Sequence, residues 1–174
     1  MGGPPLKYAH VERERRWLLD PAAAVPQCDD VVMIVDRYVV GSRLRLREVV
    51  AADGAQVRKL GHKVRVGEGS QEVACTNFYL DAAEWALLQD LPAHELRKRR
   101  HRLRVDGAVV AVDVFAGDCE GLVLAEVDGS PGLTPAAVGL AVLAEVTADE
   151  RFTGGALAAA ARAEVHTLLA DHGL

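Results

Sequence analysis

The sequence predicts a mainly β protein, built as an antiparallel sheet or barrel with a few helices. Three features indicate this: short runs of alternating or β-branched residues, turn signals between those runs, and connections too short for crossovers. Parallel strands need crossover connections of a dozen or more residues, whereas antiparallel strands can be joined by hairpins. The chain has 174 residues, of which 50% are hydrophobic and 5% aromatic, so we expect one domain with an aliphatic core.

The first half of the chain is predicted to contain five strands after a flexible lead-in at residues 1–7. These strands are expected at residues 8–19, 31–40, 43–47, 56–66 and 72–80. The segment 20–26 is rich in Pro and Ala, which indicates a connection. Asp53-Gly54 is a strong hairpin signal, because both residues favour tight turns, and residues 67–70 are expected to turn again.

The second half begins with a predicted helix from Asp81 to about Leu91. Asp81 is a suitable N-cap with Glu84 three residues later, and Pro92 lies just beyond the helix. Three further strands are expected at residues 96–105, 109–115 and 122–127, with turns at 106–107 and 117–121. Short helical turns are predicted at residues 135–138 and 148–150, and a C-terminal helix at 155–172.

Composition argues against several classes of protein. The formal net charge of −5 is unlike that of a general nucleic-acid binder. The basic run at residues 97–104 has no interleaved aromatic residues on which bases could stack, so no nucleic-acid partner is expected. The three cysteines are far apart, which argues against a disulfide framework or a structural zinc site. We find no signal peptide and no apolar run long enough to span a membrane, so a cytoplasmic location without membrane attachment is expected.

Several predicted strands carry charges at alternate positions, and residues two apart share one face of a strand. The first strand places Glu12, Glu14 and Arg16 together. Other strands repeat the pattern with the following residues: Arg43, Arg45 and Arg47; Lys98, Arg100, Arg102 and Arg104; and Glu126 and Asp128. In an open antiparallel sheet such a face would simply be solvated.

A closed sheet is the alternative interpretation of the same charges. Asp113 and Glu126 lie in the most apolar strands, where an unpaired acid is costly and tends to mark a site. If the charged faces meet inside a closed sheet, carboxylates line one wall and arginines and lysines another. Carboxylates bind Mg²⁺ or Mn²⁺, while Arg and Lys bind phosphate oxygens. Together these residues predict a site for a phosphate chain bridged by metal.

These residues are also where the chain resembles a known family, the CYTH domain or triphosphate tunnel metalloenzymes. The family's Glu-x-Glu-x-Lys motif is similar to residues 12–16, which are followed by Trp17-Leu18-Leu19. Further family motifs resemble, in the same order, Arg45-Leu46-Arg47, Lys63, Lys98-Arg99-Arg100, Asp113 and Glu126-Val127-Asp128. The resemblance covers about residues 11–152.

The resemblance implies one domain over residues 1–174, with a closed eight-stranded antiparallel β tunnel, peripheral helices and a C-terminal helix. It implies metal-dependent hydrolysis of a small-molecule triphosphate with Mg²⁺ or Mn²⁺, and Glu12, Glu14 and Arg16 are the expected catalytic residues. The implied metal ligands are Glu12, Glu14, Asp113, Glu126 and Asp128. The implied phosphate-binding residues are Arg45, Arg47, Lys63, Lys98 and Arg100. Inorganic tripolyphosphate is the favoured substrate, because no pocket for a base or for thiamine is recognisable.

Three positions depart from the family pattern. Arg16 replaces the motif lysine and cannot give up a proton. Asp128 replaces the second glutamate of its motif with a shorter side chain, and Thr76 lies where a glutamate is usual. These departures keep two other functions open: a non-catalytic module that binds polyphosphate or a nucleotide, and an adenylyl cyclase. The sequence does not indicate the oligomeric state.

Overall fold

The computed structural model describes residues 8–23, 25–26, 28, 30–66, 72–105, 107–128 and 132–174. Within these ranges the chain forms nine strands, three short α-helices and three 3₁₀ turns. The strands are β1 (His10–Leu19), β2 (Val31–Val39), β3 (Leu44–Ala51), β4 (Gln56–Arg65), β5 (Glu72–Tyr79), β6 (Ala93–Val105), β7 (Ala108–Ala116), β8 (Val123–Asp128) and β9 (Val142–Glu145). The predicted lead-in at 1–7, the turn at 67–70 and Asp106 lie outside the described residues.

The first eight strands form a closed antiparallel barrel. Their order is β5-β4-β3-β2-β6-β7-β8-β1, and β1 closes the ring by pairing with β5. The first part of β1 pairs with β5 and the second part with β8, so this one strand bridges the two ends of the sheet. The prediction of a closed eight-stranded antiparallel barrel is therefore confirmed, and the open sheet with a solvated charged face is wrong.

One strand was not predicted. Strand β9 adds outside the barrel to the end of β1, where Trp17 is opposite Glu145 and Leu19 is opposite Val142. It has only four residues, which is too short for a period of two to stand out in the sequence.

The register gathers the alternate charges on the inner face of the barrel. Arg16 is opposite Glu126, and Arg100 is opposite Asp113. Residues directly opposite each other in an antiparallel pair project from the same face. A shift of one residue would turn these charges outward, so the register of the strands is what creates a charged interior.

Apolar side chains close off the remaining part of the barrel. Leu18, Leu122 and Leu124 are fully buried and belong to one core cluster with Phe152 and Leu157 from the C-terminal segment. A second cluster, which includes Trp17, covers the opposite face of β1, β7 and β8. The end of β1 is thus buried on both faces, while its beginning faces the charged cavity described below.

The helices match the predictions in part. Helix α1 (Ala82–Leu88) begins with the expected capping box: the Glu84 N–H donates to the Asp81 carboxylate at 2.8 Å, and the Asp81 N–H donates to the Glu84 carboxylate at 2.9 Å. The helix ends three residues before Leu91. Pro92 disfavours helical backbone in the residue before it, and the chain enters β6 at Ala93.

The single C-terminal helix predicted at 155–172 is wrong. Two helices occupy the segment, α2 (Gly154–Ala159) and α3 (Arg162–Ala170), separated by extended backbone at Ala160 and Ala161. The Ala161 N–H donates to the Glu164 carboxylate at 2.7 Å, which satisfies a backbone donor at the start of the second helix. The break allows both helices to pack on the same core, through Leu157 from α2 and Val165 from α3.

The two short helical turns were predicted with different accuracy. The turn at Pro135–Val138 has the expected bounds. The turn expected at residues 148–150 lies instead at Glu150–Phe152, because the Asp149 side chain caps it by accepting from the Arg151 N–H. No helix in the described ranges combines the length and the apolar character needed to cross a membrane.

Candidate functional site

The barrel contains a cavity of about 590 Å³ that is lined by charged side chains. Among the described residues that line it, eight are Arg or Lys and four are Glu. Nine of the predicted site residues lie there: Glu12, Glu14, Arg16, Arg45, Arg47, Lys63, Lys98, Arg100 and Glu126. Residues from seven of the eight barrel strands therefore converge on one space.

The carboxylates of the cavity pair with cations from their own strand and from other strands of the barrel. The Lys63 ammonium donates to Glu12 Oε2 at 2.8 Å and lies 3.6 Å from Glu14 Oε1. Arg16 donates from Nη2 to Glu14 at 2.8 Å and from Nε to Glu126 at 3.1 Å. Each of these three carboxylates consequently has a cationic partner within the cavity wall.

Two fully buried aspartates lie behind the cations. Asp36 on β2 accepts two hydrogen bonds from Arg47, at 2.6 and 2.7 Å. Asp113 on β7 accepts from Lys98 Nζ at 2.5 Å and from Arg100 Nε and Nη2, both at 2.6 Å. Both aspartates are 0% exposed, so each one is a counter-charge held beneath the cavity surface.

Asp36 was not among the predicted site residues, although its strand carries a signal. Asp36 is an acid in an apolar strand and shares the inner face with Ile34 and Tyr38. The same kind of signal singled out Asp113. The strand around Asp113 is apolar at all of its other positions, whereas Arg37 directly follows Asp36.

Two of the predicted metal ligands are not among the described residues that line the cavity. Asp113 lies beneath the lining, with both carboxylate oxygens engaged by Lys98 and Arg100. Asp128 is exposed at the end of β8 and accepts a hydrogen bond from the Arg13 N–H at 3.1 Å. Glu12, Glu14 and Glu126 thus line the cavity itself, whereas these two aspartates are not among its described lining residues.

Burial and pairing shift the pKa values of these acids in opposite directions. For Glu126, burial acts to raise the pKa, but Lys98, Arg100 and Arg16 outweigh it and hold the pKa well below its usual value. For Asp36, burial is again outweighed, by Arg47 first and then Arg45, and the pKa falls to about 2. Both carboxyl groups are therefore ionised at neutral pH.

The lysine and arginine partners respond to the same surroundings. Burial lowers the pKa of Lys98, and attraction to Asp113 offsets this only in part. Burial also acts to lower the pKa of Arg16, but Glu126 and Glu14 reverse the effect and raise it. Arg16 therefore keeps its charge at any working pH and cannot act as a base.

Arg45 differs from its neighbours because its pairing is incomplete. Its Nε is buried and has no hydrogen-bond partner, and the nearest Asp36 oxygen is 3.5 Å away. Gly61 leaves space beside it, since a Cβ there would lie 3.5 Å from Arg45 Nη2 and 3.1 Å from Asn77 Oδ1. A buried cation with an unsatisfied donor at a cavity wall is suited to an anionic ligand.

The carboxylates of the cavity suit a metal ion shared with a ligand better than one held by protein alone. The described residues include no cluster of three or more Asp, Glu, His or Cys side chains arranged to hold a metal. Mg²⁺ usually binds through one or two carboxylates plus substrate phosphates and waters. Glu12, Glu14 and Glu126 can supply such carboxylates, so the residues present fit a metal that arrives with phosphate.

The segment leading into α2 forms part of the cavity wall, and sequence analysis did not identify it. Thr153, Gly154 and Gly155 line the cavity beside Tyr38. A Cβ on Gly154 would overlap the Tyr38 hydroxyl oxygen, so only glycine fits here. Burial, with a further contribution from Asp36, raises the pKa of Tyr38, which therefore keeps its proton.

Replacing Gly154 by alanine is expected to lower the free energy of unfolding by about 1–3 kcal/mol, because the methyl group must displace Tyr38 or α2. Adding Tyr38→Phe should recover part of this loss, since it removes the overlapping atom. Gly155→Ala is the matched control, because its Cβ would lie 3.6 Å from the Tyr38 ring. Urea denaturation measures the wild type, the two single variants Gly154→Ala and Tyr38→Phe, their double variant and the control, and strictly additive losses in the double variant would contradict the overlap.

Comparison with known proteins supports the architecture. The crystal structure of the inorganic triphosphatase NE1496 matches with a TM-score of 0.54 and 23% identity, covering 86% of this chain and 95% of that chain. A second structure of NE1496, described as a hypothetical protein, gives 0.52 and 22%, covering 86% and 99%. No protein-family model matches the chain, and no curated protein matches it significantly. At these identities the likeness shows a shared fold.

Proposed function

We propose that this protein is a metal-dependent hydrolase of a triphosphate, most suited to inorganic tripolyphosphate, and that it belongs to the CYTH or triphosphate tunnel type. The observation that carries the proposal is the cavity inside the closed barrel, in which cations outnumber carboxylates two to one. Such an enclosed basic space attracts and orients a linear polyanion. The fold shared with a protein described as an inorganic triphosphatase supports the same conclusion.

The basic residues of the cavity would bind the phosphate chain. Arginine presents a fork of donors that matches two phosphate oxygens, whereas lysine acts as a point charge. The residues assigned to this role are Arg45, Arg47, Lys63, Lys98 and Arg100. By stabilising charge on the transferred phosphoryl and leaving groups, they would lower the barrier to hydrolysis.

Glu12, Glu14 and Glu126 would hold Mg²⁺ or Mn²⁺ together with oxygens of the substrate. When bound, such an ion neutralises phosphate oxygens and lowers the pKa of a coordinated water. Phosphate oxygens can replace the carboxylates as acceptors for Lys63 and Arg16, which frees Glu12 and Glu14. Asp113 and Asp128 belong to this proposal as supports rather than ligands, Asp113 because it fixes Lys98 and Arg100.

Phosphate release tests the proposal directly. The wild-type protein with tripolyphosphate and Mg²⁺ or Mn²⁺ should release phosphate, and chelation of the metal should stop the release. Glu12→Gln should lower turnover by at least about 100-fold, because it weakens metal binding and removes the negative charge that pairs with Lys63. Glu95→Gln is the matched control, since Glu95 lies outside the cavity and pairs with Arg97.

One observation favours a second function, a module that binds polyphosphate without hydrolysing it. Arg16 bridges Glu14 and Glu126, and this pairing competes with metal for both carboxylates. Calorimetry separates the two functions. Tight binding of tripolyphosphate with no phosphate release under either metal would replace the hydrolase with this module.

A further inference from the structure

Asp36 has no role in the function proposed above, yet it occupies the middle of the cation-bearing wall. It lies on β2, opposite Arg47 of β3 on one side and opposite Leu96 of β6 on the other. Its carboxylate is 0% exposed and contacts Arg47 and, at 3.5 Å, Arg45. Lys98 also acts on it electrostatically, so one buried negative charge faces three cations of the cavity.

Stability alone does not account for a carboxylate in this position. Burying an ion pair carries a large desolvation cost for each ion, and replacing such a pair by well-packed apolar groups is often neutral or stabilising. The side chain is too deeply buried to meet a ligand itself. What it can do is determine the position and the effective charge of the cations that do line the cavity.

The geometry of Arg47 shows how this control operates. Its Nε and one Nη2 donor are bound to the two oxygens of Asp36, a bidentate arrangement that defines the plane of the guanidinium. Arg47 also lines the cavity, where its remaining donors can meet a ligand. Arg45 shares the same carboxylate more loosely, at 3.5 Å, and keeps an unsatisfied Nε.

We propose that Asp36 is a positioning residue of the phosphate site, fixing the Arg47 guanidinium and cancelling part of the positive charge of Arg45 and Arg47. The fixed plane orients the remaining donors for a phosphate group. The cancelled charge limits how tightly the cavity holds a polyanion, so that phosphate products can leave. This inference rests on the proposed function, because it assumes that Arg45 and Arg47 bind phosphate.

The test compares Asp36→Asn with the wild type by two measurements that should move in opposite directions. Calorimetry with tripolyphosphate in the absence of metal should give a Kd about tenfold lower in the variant, because a negative charge near the ligand is removed. Turnover with Mg²⁺ should fall by about tenfold or more, since Arg47 loses its fixed orientation. A purely structural defect would weaken binding and turnover together, and that result would overturn the proposal.

Glu48→Gln is the matched control. The Glu48 carboxylate accepts a hydrogen bond from Arg58 Nε at 2.8 Å across β3 and β4, but it is not among the described residues that line the cavity. Binding and turnover of this variant should equal those of the wild type. If both measurements change as they do in Asp36→Asn, the effect is not specific to the cavity and the proposal fails.

A second variant covers the case in which Asp36→Asn does not fold. Asp36→Glu keeps the charge but moves the carboxylate by one methylene, so Kd should stay within about threefold while turnover falls about tenfold. Wild-type turnover in this variant would overturn the positioning role. A wild-type protein that neither binds nor hydrolyses tripolyphosphate would instead defeat the proposed function itself.

Discussion

Replacing Asp113 by asparagine is expected to lower the free energy of unfolding by about 3–5 kcal/mol. The carboxylate is fully buried and compensates two cations, Lys98 at 2.5 Å and Arg100 at 2.6 Å. Without it, Lys98 would be a buried ammonium whose pKa burial already lowers. Removing one partner of a buried pair leaves an uncompensated charge, which is far costlier than the loss of an exposed ion pair.

Urea denaturation without added metal measures this effect, with Asp128→Asn as the control. Asp128 is exposed and bonds only a backbone N–H among the contacts described, so its loss should change the free energy of unfolding by less than about 1 kcal/mol. Repeating the measurement with Mg²⁺ shows whether Asp113 acts as a counter-charge for the cations or as a metal ligand. If Asp113→Asn equals the wild type without metal and differs only when Mg²⁺ is present, Asp113 is a ligand after all.

Replacing Arg45 by methionine is expected to weaken binding of tripolyphosphate by roughly 100-fold, because charge-assisted hydrogen bonds to phosphate are lost. The free energy of unfolding of this variant should equal or exceed that of the wild type. Arg45 buries an Nε that has no hydrogen-bond partner and is 3.5 Å from its nearest acid, so the folded protein gains little from this charge. Calorimetry and urea denaturation measure the two effects separately.

Arg47→Met provides the contrast on the same strand. Arg47 donates two short hydrogen bonds to Asp36, so its loss should weaken binding and also destabilise the fold by leaving Asp36 unpaired. If Arg45→Met destabilises the protein as much as Arg47→Met does, Arg45 is a structural cation. In that event the unpaired Nε of Arg45 does not indicate a binding site for an anionic ligand.

The sequence was a good guide to the barrel because strand signals are local. Alternation over residues 12–16 and 43–47 placed charges on one face, and Asp81 with Glu84 marked a helix start that the structure confirms. The closed eight-stranded form was expected from the family motifs, and the β1–β5 pairing confirms it. Strand β9 was not predicted because four residues are too few for a period of two to stand out. The break at Ala160 was not predicted because it depends on packing against distant segments.

Sequence by itself determined which charges of a strand share one face, since a period of two assigns every second residue to the same side. Only the tertiary structure decided which of those charges meet the cavity and which lie beneath it. Asp113 and Glu126 carry the same kind of signal, yet Asp113 is enclosed by Lys98 and Arg100 while Glu126 reaches the cavity surface. The physical reason is that burial and pairing depend on the register and closure of eight strands, and a pattern within one strand contains neither.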